Sequence, residues 1–508
     1  VSKIVYIPLD ERPCNLAYPL RLFTQLDDVT VVAPPAALLG HKKLPANVSA
    51  LRDFLKAESV DADAVVYSTE MLAYGGLLPS RIYPEADKPD IADYEAFLKG
   101  LKTTNPALKL YGSNLIMRTP RYSSGDEEPA YYEDYGAEIF RYGWLIDKEN
   151  REGLDDAERA EERQLSRTVP AEDIADYEQR RENNLKVNLA NIDLVQAGVI
   201  DYLAIPQDDS APYGYTAHDQ AAVYPLIKKT RLQARIGTYP GADEAGYTLL
   251  ARAVQGLTGG SFSIYPLYAS EIGKTQIPLY EDRPLCESVK SHILSAGAQV
   301  ALSPDSADLI LAVNTPGKQM IEARDQRTHA DVTYDTYRNL RAFVSQIGGL
   351  LDAGKAVAVA DSAYANGADL ELIEMLDTQG LLPKLAAYRG WNTNCNTLGS
   401  TISAAMIQRN AKPAVRWHEI LTALLDDAFY QSVVRGEVTD NWLPRFGLNY
   451  FDLKDQADAV GAEVAKQIEA LATTTLQHSL AGAKLQPQIS FPWNRMFEIN
   501  CAYTTLEV

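Results

Sequence analysis

The chain has 508 residues, with 68 Asp and Glu against 48 Lys and Arg for a formal charge of −20, and 29 Tyr beside only 11 Phe and 5 Trp. At about 100–200 residues per domain this length implies several domains with real cores, and hydrophobic and charged fractions of 46% and 23% exclude disorder as the default. The acid excess and the lack of a basic stripe exclude a nucleic-acid backbone or an anionic membrane as partner, and no apolar run reaches the roughly 18 residues a spanning helix needs.

Residues 1–9, VSKIVYIPL, read as a buried strand rather than a signal peptide, since there is no long apolar stretch and no small-residue cleavage site. Cys14, Cys286, Cys395 and Cys501 form no C-x-x-C, so neither a zinc site nor a disulfide framework is indicated and a reducing, cytoplasmic setting is expected. Apolar, β-branched runs follow at spacings suited to β-α units: residues 3–10, 29–35, 64–71, 109–117, 201–209 and 234–244. Their hydrophobicity is continuous rather than alternating, as in parallel strands covered on both faces. The fold class is therefore α/β, opening with a parallel β/α domain over residues 1–258 that is either a TIM-like barrel or doubly wound.

Between the fourth and fifth runs, from about residue 125 to 191, opposite charges interleave at helical spacing, which predicts solvated helices forming an insertion or lid. After the Gly-rich junction QGLTGGS (255–261), a second series at 262–269, 299–303, 310–317, 356–367 and 384–392 predicts a Rossmann- or flavodoxin-like α/β domain over 259–400. Strands then become scarce, and 401–508 reads as a mainly helical C-terminal region.

Ligands collect at the carboxyl ends of parallel strands, and nearly every run here ends in polar chemistry. Asp10 and Arg12 precede Pro13, which forces a turn there; the competing reading is an internal Asp–Arg ion pair shaping that turn. Glu70 ends the third run and is followed by Arg81, while Arg118 ends the fourth; both arginines suit ligand oxygens or neighbouring carboxylates. Asp208 and Asp209 leave the fifth strand in divergent directions, with Tyr213 and Tyr215 close behind. Asp243 and Glu244 fall where a strand turns into a helix, as partners for that pair across a pocket or as a helix cap. In the second domain Asp361, Asn366, Trp391, Asn392, Asn394 and Asn396 gather amides around an aromatic face, which suits sugar hydroxyls and ring C–H faces or, more plainly, an Asn-rich turn. Phosphate loops, zinc-protease and nucleophile-elbow signatures are missing, and six scattered His argue against a His/Cys metal centre.

The blocks VYIPLDERPCN, EMLAYGGLLPSR, IPQDDSAPYG, PGADE, YEDRP, VNTPG, DSAYANGAD and GWNTNCNTLG together resemble a bacterial family of proteins of about this length known as a domain of unknown function. The resemblance covers nearly the whole chain and implies one unit without implying an activity. A second, local similarity is to substrate-assisted β-N-acetylhexosaminidases of the O-GlcNAcase type. It implies that of Asp208 and Asp209 one polarises the substrate's acetamide while the other protonates the leaving oxygen, with Tyr213 assisting.

The expected activity is thus glycoside hydrolysis of a neutral sugar, an N-acetylated one where the second resemblance holds. Asp208, Asp209, Asp10 and Glu244 are the catalytic candidates, with a small carbohydrate as ligand and no cofactor or resident metal. Two alternatives remain open: a hydrolase using Asp10, Asp208 and Asp209 as Mg²⁺ or Mn²⁺ ligands, and a non-catalytic protein holding a sugar between two α/β domains.

Overall fold

The computed structural model describes residues 1–506. The first six apolar runs form the parallel strands β1 (Ser2–Ile7), β2 (Val29–Val32), β3 (Ala64–Ser68), β4 (Lys109–Ser113), β5 (Tyr202–Gln207) and β6 (Ile236–Pro240). Every residue of β3 and β5 is buried, which is why their sequences are unbroken apolar stretches.

These strands pair in the order β2-β1-β3-β4-β5-β6. The sheet is open: β2 and β6 are its edges, so the doubly wound alternative is the one that forms and the barrel is corrected. Closure would need β6 to pair with β2, whereas its partner is β5 alone. From β1 the chain moves to one side for β2 and then crosses to the other for β3, so the strand order reverses between β1 and β3. That reversal opens a crevice at the carboxyl ends of these strands.

The charge-dense stretch folds into the helices Tyr132–Arg151, Asp156–Thr168 and Ala171–Gln196. The middle one meets the solvated expectation: it buries no residue and starts with a reciprocal Asp155–Glu158 capping box. Ala171–Gln196 does not. It buries Tyr177, Arg181, Asn184, Val187, Asn188 and Asn191 along one side, so it is a structural element rather than a detached lid.

The second series forms β7 (Ser263–Tyr268), β8 (Gln299–Val300), β9 (Leu309–Asn314), β10 (Val357–Asp361) and β11 (Ala387–Arg389). All four pairings are parallel, in the order β11-β10-β9-β7-β8. Counted from β7, this is the order of the first five strands of the other sheet, and it is the flavodoxin-like rhythm expected. The C-terminal residues share the hydrophobic core of this sheet: Leu424, Phe429, Val460 and Ile468 pack with Ile310, Phe343, Val359 and Leu372. The C-terminal region, expected to be mainly helical, also holds an antiparallel ribbon, β12 (Lys484–Ser490) with β13 (Asn500–Leu506).

The chain divides into two compact units, one of residues 1–11, 27–249 and 280–282, the other of residues 12–26, 250–279 and 283–508. The short segment 12–26 therefore folds with the far end of the chain. In the second unit the Tyr18 hydroxyl accepts from the Cys501 amide at 2.9 Å and donates to the Ile499 carbonyl at 3.2 Å. Among the described residues no helix is long and apolar enough to cross a membrane.

Candidate functional site

In the first unit the carboxyl ends of β3, β4 and β5 carry a buried polar cluster. Ser68 ends β3 and caps the short helix Thr69–Tyr74, which places Glu70 in its first turn. Glu70 is fully buried and accepts from Ser68 Oγ at 2.9 Å, Asn114 Nδ2 at 2.9 Å and the Leu115 amide at 2.7 Å. Burial raises its pKa above the usual range even against these donors.

Asp208 and Asp209 follow β5. Asp209 has φ of 45°, a left-handed conformation that turns the chain and separates two adjacent carboxylates. Asp208 Oδ2 meets Arg81 at 2.8 Å, and Asp209 Oδ2 lies 3.5 Å from Arg118. Arg81 also pairs with Glu127 and Glu128, both at 3.2 Å, and Arg118 pairs with the same two at 2.7 Å. Two arginines are thus shared among four carboxylates, and the cluster retains an excess of acid.

The electrostatics separate the two aspartates. Burial, and then the neighbouring Asp209, push Asp208 up to about 7; Arg81 and Arg118 oppose this, and Asp243 adds to it. Asp209 is raised by burial and most strongly opposed by Arg118, so the pair retains a proton near neutral pH, more readily on Asp208. Beside Asp208 lies a cavity of about 10 Å³, room for a single water, bounded by Glu70, Arg81, Asn114 and Asn184.

Of the other residues singled out in this unit, Asp10 is buried in the turn after β1, and Asp243 and Glu244 are buried after β6. The Glu244 carboxylate folds back to accept from the Ala242 amide at 2.8 Å, two residues before it and ahead of the helix Ala245–Thr258. Tyr213 and Tyr215 pack against the helical insertion: Tyr213 lies edge-on against Trp144 with centroids 5.0 Å apart, and the Tyr215 hydroxyl donates to Glu178 at 2.8 Å.

Sequence reasoning missed the residues that hold this cluster. Glu127 and Glu128 sit in a loop with no local pattern. Asn184, Asn188 and Asn191 do carry a signal, recurring four and then three residues apart on one helix face. Asn188 donates to Asn114 Oδ1 at 2.8 Å, Asn191 donates to the same oxygen at 3.0 Å, and Asn184 donates to the Ser80 carbonyl at 2.9 Å. Arg181, also buried, pairs with Asp219 at 2.8 Å.

In the second unit Arg12 lies over the Trp493 ring at 4.4 Å and pairs with Glu498 at 3.3 Å, an acidic partner 486 positions away and outside its own turn. Asp361 ends β10, fully buried, and accepts from Asn314 at 2.9 Å, Tyr388 at 2.8 Å and the Asp369 amide at 2.9 Å. Burial and the neighbouring Asp369 push it up to about 7, while Arg338 pairs with Asp369 at 2.6 Å. Next to this network Thr315 Oγ1 and Ser362 Oγ, at the ends of β9 and β10, are buried without a hydrogen-bond partner.

The Asn-rich segment is a turn into the helix Asn394–Ile407. Asn366 and Asn392 adopt left-handed φ of 56° and 57°; Asn366 donates to Glu322 at 2.8 Å and Asn392 accepts from the Thr393 amide at 2.9 Å. Trp391 is buried with its ring N–H on Ser400 at 3.0 Å, while Asn394 and Asn396 lie buried in the helix's first turn. A π-helix, Leu424–Val434, supplies Asp427, paired with Arg389 at 2.8 Å, and Asp426, whose Oδ1 has no hydrogen-bond partner and whose pKa burial and Asp427 raise to about 7.

Chemically, the first cluster can hold one transferable proton on Asp208 and a negative charge on Asp209, with both arginines fixed by Glu127 and Glu128. Among the described residues no group of three or more His, Cys, Asp or Glu is placed to hold a metal ion, the trio Asp10, Asp208 and Asp209 included. No curated protein matches the sequence. A family model described as Protein of unknown function (DUF4127) matches residues 4–502.

Proposed function

Since the chain belongs to the DUF4127 family, whose description assigns no activity, we propose from the chemistry of its carboxyl-edge cluster that it is a glycoside hydrolase acting on a neutral sugar. The observation that carries the reading is Asp208, a carboxyl pushed up to about 7 beside a second carboxyl under an opposing arginine. Glycoside hydrolysis needs one carboxyl protonated and one ionised at the same pH, and neighbouring acids in a buried setting meet that need.

In this reading Asp208 gives its proton to the leaving oxygen. Asp209, held by Arg118, stabilises positive charge developing at the anomeric carbon or orients the substrate's acetamide. Four carboxylates sharing two arginines disfavour a phosphorylated or uronic substrate, since an anion there meets like charge. The four cysteines are all free thiols, which supports a cytoplasmic setting as part of the proposal.

The test is hydrolysis of a panel of aryl glycosides, with and without a 2-acetamido group, by the wild-type chain and the Asp208→Asn and Asp209→Asn variants. Turnover that both variants abolish while retaining wild-type circular dichroism supports the reading. Turnover unchanged in both, or a sugar bound and recovered intact, counts against it, the latter in favour of a binding protein.

A further inference from the structure

The second sheet has a large cavity at the edge opposite Asp361. It opens at the amino ends of β7, β9, β10 and β11, has a volume of about 680 Å³, and is lined by Lys355, Lys384, Arg409 and Arg416. That volume is of the size that takes a small organic ligand. Four cations face one cavity in a chain whose net charge is −20.

Their partners do not account for them. Lys355 Nζ reaches the Asp305 carbonyl at 2.9 Å, Arg409 reaches the Met406 carbonyl at 3.1 Å and Thr258 Oγ1 at 3.2 Å, and Arg416 reaches the Ala411 carbonyl. These bonds go to backbone carbonyls and one hydroxyl and occupy one or two donors of each side chain. An arginine has five donors and a lysine three, so most remain available. Among the described residues none of the four pairs with a carboxylate, and the Lys384 side chain, which is exposed, has no hydrogen-bond or ion-pair partner. Asp308, the acid lining the cavity, is occupied by the Ser263 amide at 2.8 Å and hydroxyl at 3.0 Å.

We infer that this cavity binds a small phosphate-bearing anion. Repulsion among four cations is left uncompensated without a ligand, and a multiply charged phosphate supplies both the counter-charge and the acceptors for their spare N–H groups. Arg409 lies over Phe262 with its guanidinium 5.3 Å from the ring centroid, giving the cavity a flat aromatic wall beside a cation. The ligand is then either a nucleoside phosphate, whose base would use that wall, or an inorganic polyphosphate. The site belongs to the second unit and does not depend on the glycosidase reading.

The experiment is isothermal titration of the full chain with ATP and with inorganic triphosphate at low ionic strength, alongside the ligand-induced shift of the thermal midpoint. Binding of one equivalent that weakens as salt rises, with Lys384→Glu and Arg409→Gln each lowering affinity by about tenfold or more, is the expected result. Lys384→Glu removes no contact within the protein and relieves repulsion among the cations, so its unliganded melting temperature should be no lower than the wild type, which separates lost binding from lost folding. ATP tighter than triphosphate identifies a nucleoside phosphate, and the reverse order or equality identifies a polyphosphate. No binding of either at millimolar concentration, or binding that both variants leave unchanged, overturns the inference.

Discussion

Arg81 and Asp208, 127 positions apart in the chain, meet at 2.8 Å at the carboxyl edge of the first sheet. The arginine restrains a carboxyl that burial drives the other way, so the proton affinity of Asp208 is a balance between solvent exclusion and one guanidinium.

That balance predicts the pH profile. If Asp208 is the acid, kcat/KM on an activated glycoside falls above pH about 7 as it deprotonates. Asp208→Asn should reduce kcat/KM by about 10²–10⁴-fold and flatten the alkaline limb. An alkaline limb that persists unchanged in the variant assigns the proton to another group.

Arg81→Gln removes a cation that favours ionised Asp208, so the Asp208 pKa should rise further and the alkaline limb should move to higher pH. The informative quantity is the midpoint of that limb rather than the rate at its plateau. A limb that moves down, or stays in place, shows that Arg81 does not set this proton affinity.

Asn188→Leu tests whether the helix Ala171–Gln196 is structural. It leaves Asn114 Oδ1 with Asn191 as its remaining donor from this face, and removing one partner of a buried hydrogen bond costs about 1–3 kcal/mol. The expected readout is a lower thermal midpoint; a surface substitution on the neighbouring helix, such as Arg163→Ala, should leave it unchanged because that helix buries nothing. Equal midpoints for the two variants would return the whole insertion to the role of a solvated lid.

Asp426 predicts the stability of the second unit against pH. Its folded pKa is raised to about 7, so the native state keeps a proton that the unfolded chain has already released, and stability declines as pH rises from about 4 to about 7. A tenfold difference in proton affinity between the folded and unfolded chain is worth about 1.4 kcal/mol. Asp426→Asn keeps a neutral side chain at all pH values, so denaturant midpoints should show it stabilising relative to wild type at pH 7.5 and not at pH 4.5. A stabilisation of equal size at both pH values would exclude titration of Asp426 as the cause.

The strands were legible because a parallel strand covered on both faces has to be apolar throughout, and all eleven runs became strands. Their order was not, since nothing local to residues 64–71 or 234–244 tells whether β6 closes onto β2; that choice is made by long-range packing. The same distinction runs through the site. Asp208, Asp209, Glu70, Arg81 and Arg118 were visible at strand ends and cluster, whereas Glu127 and Glu128 join them from a loop without periodicity. Tyr213 and Tyr215 looked close to the carboxylates in sequence, yet their rings found partners on the insertion. Trp391 read as an aromatic face for a sugar or as part of an Asn-rich turn, and it lies buried with its N–H on Ser400. The asparagines of Ala171–Gln196 were legible in principle, and their helical spacing was obscured by the charges around them.

The partnership of Tyr18 with Cys501 spans 483 positions, and it has a consequence in time. Segment 12–26 leaves the ribosome well before Ile499 and Cys501, the residues Tyr18 bonds, which lie more than 450 positions further along the chain. At about 5–20 residues per second the wait is roughly half a minute to a minute and a half. For that interval Tyr18, Leu22 and Phe23 have no native surface to cover them, while β1, directly before them, can already pair with β2 and β3. Nascent chains of this protein should therefore bind chaperones through residues 12–26 until residues 499–501 are made.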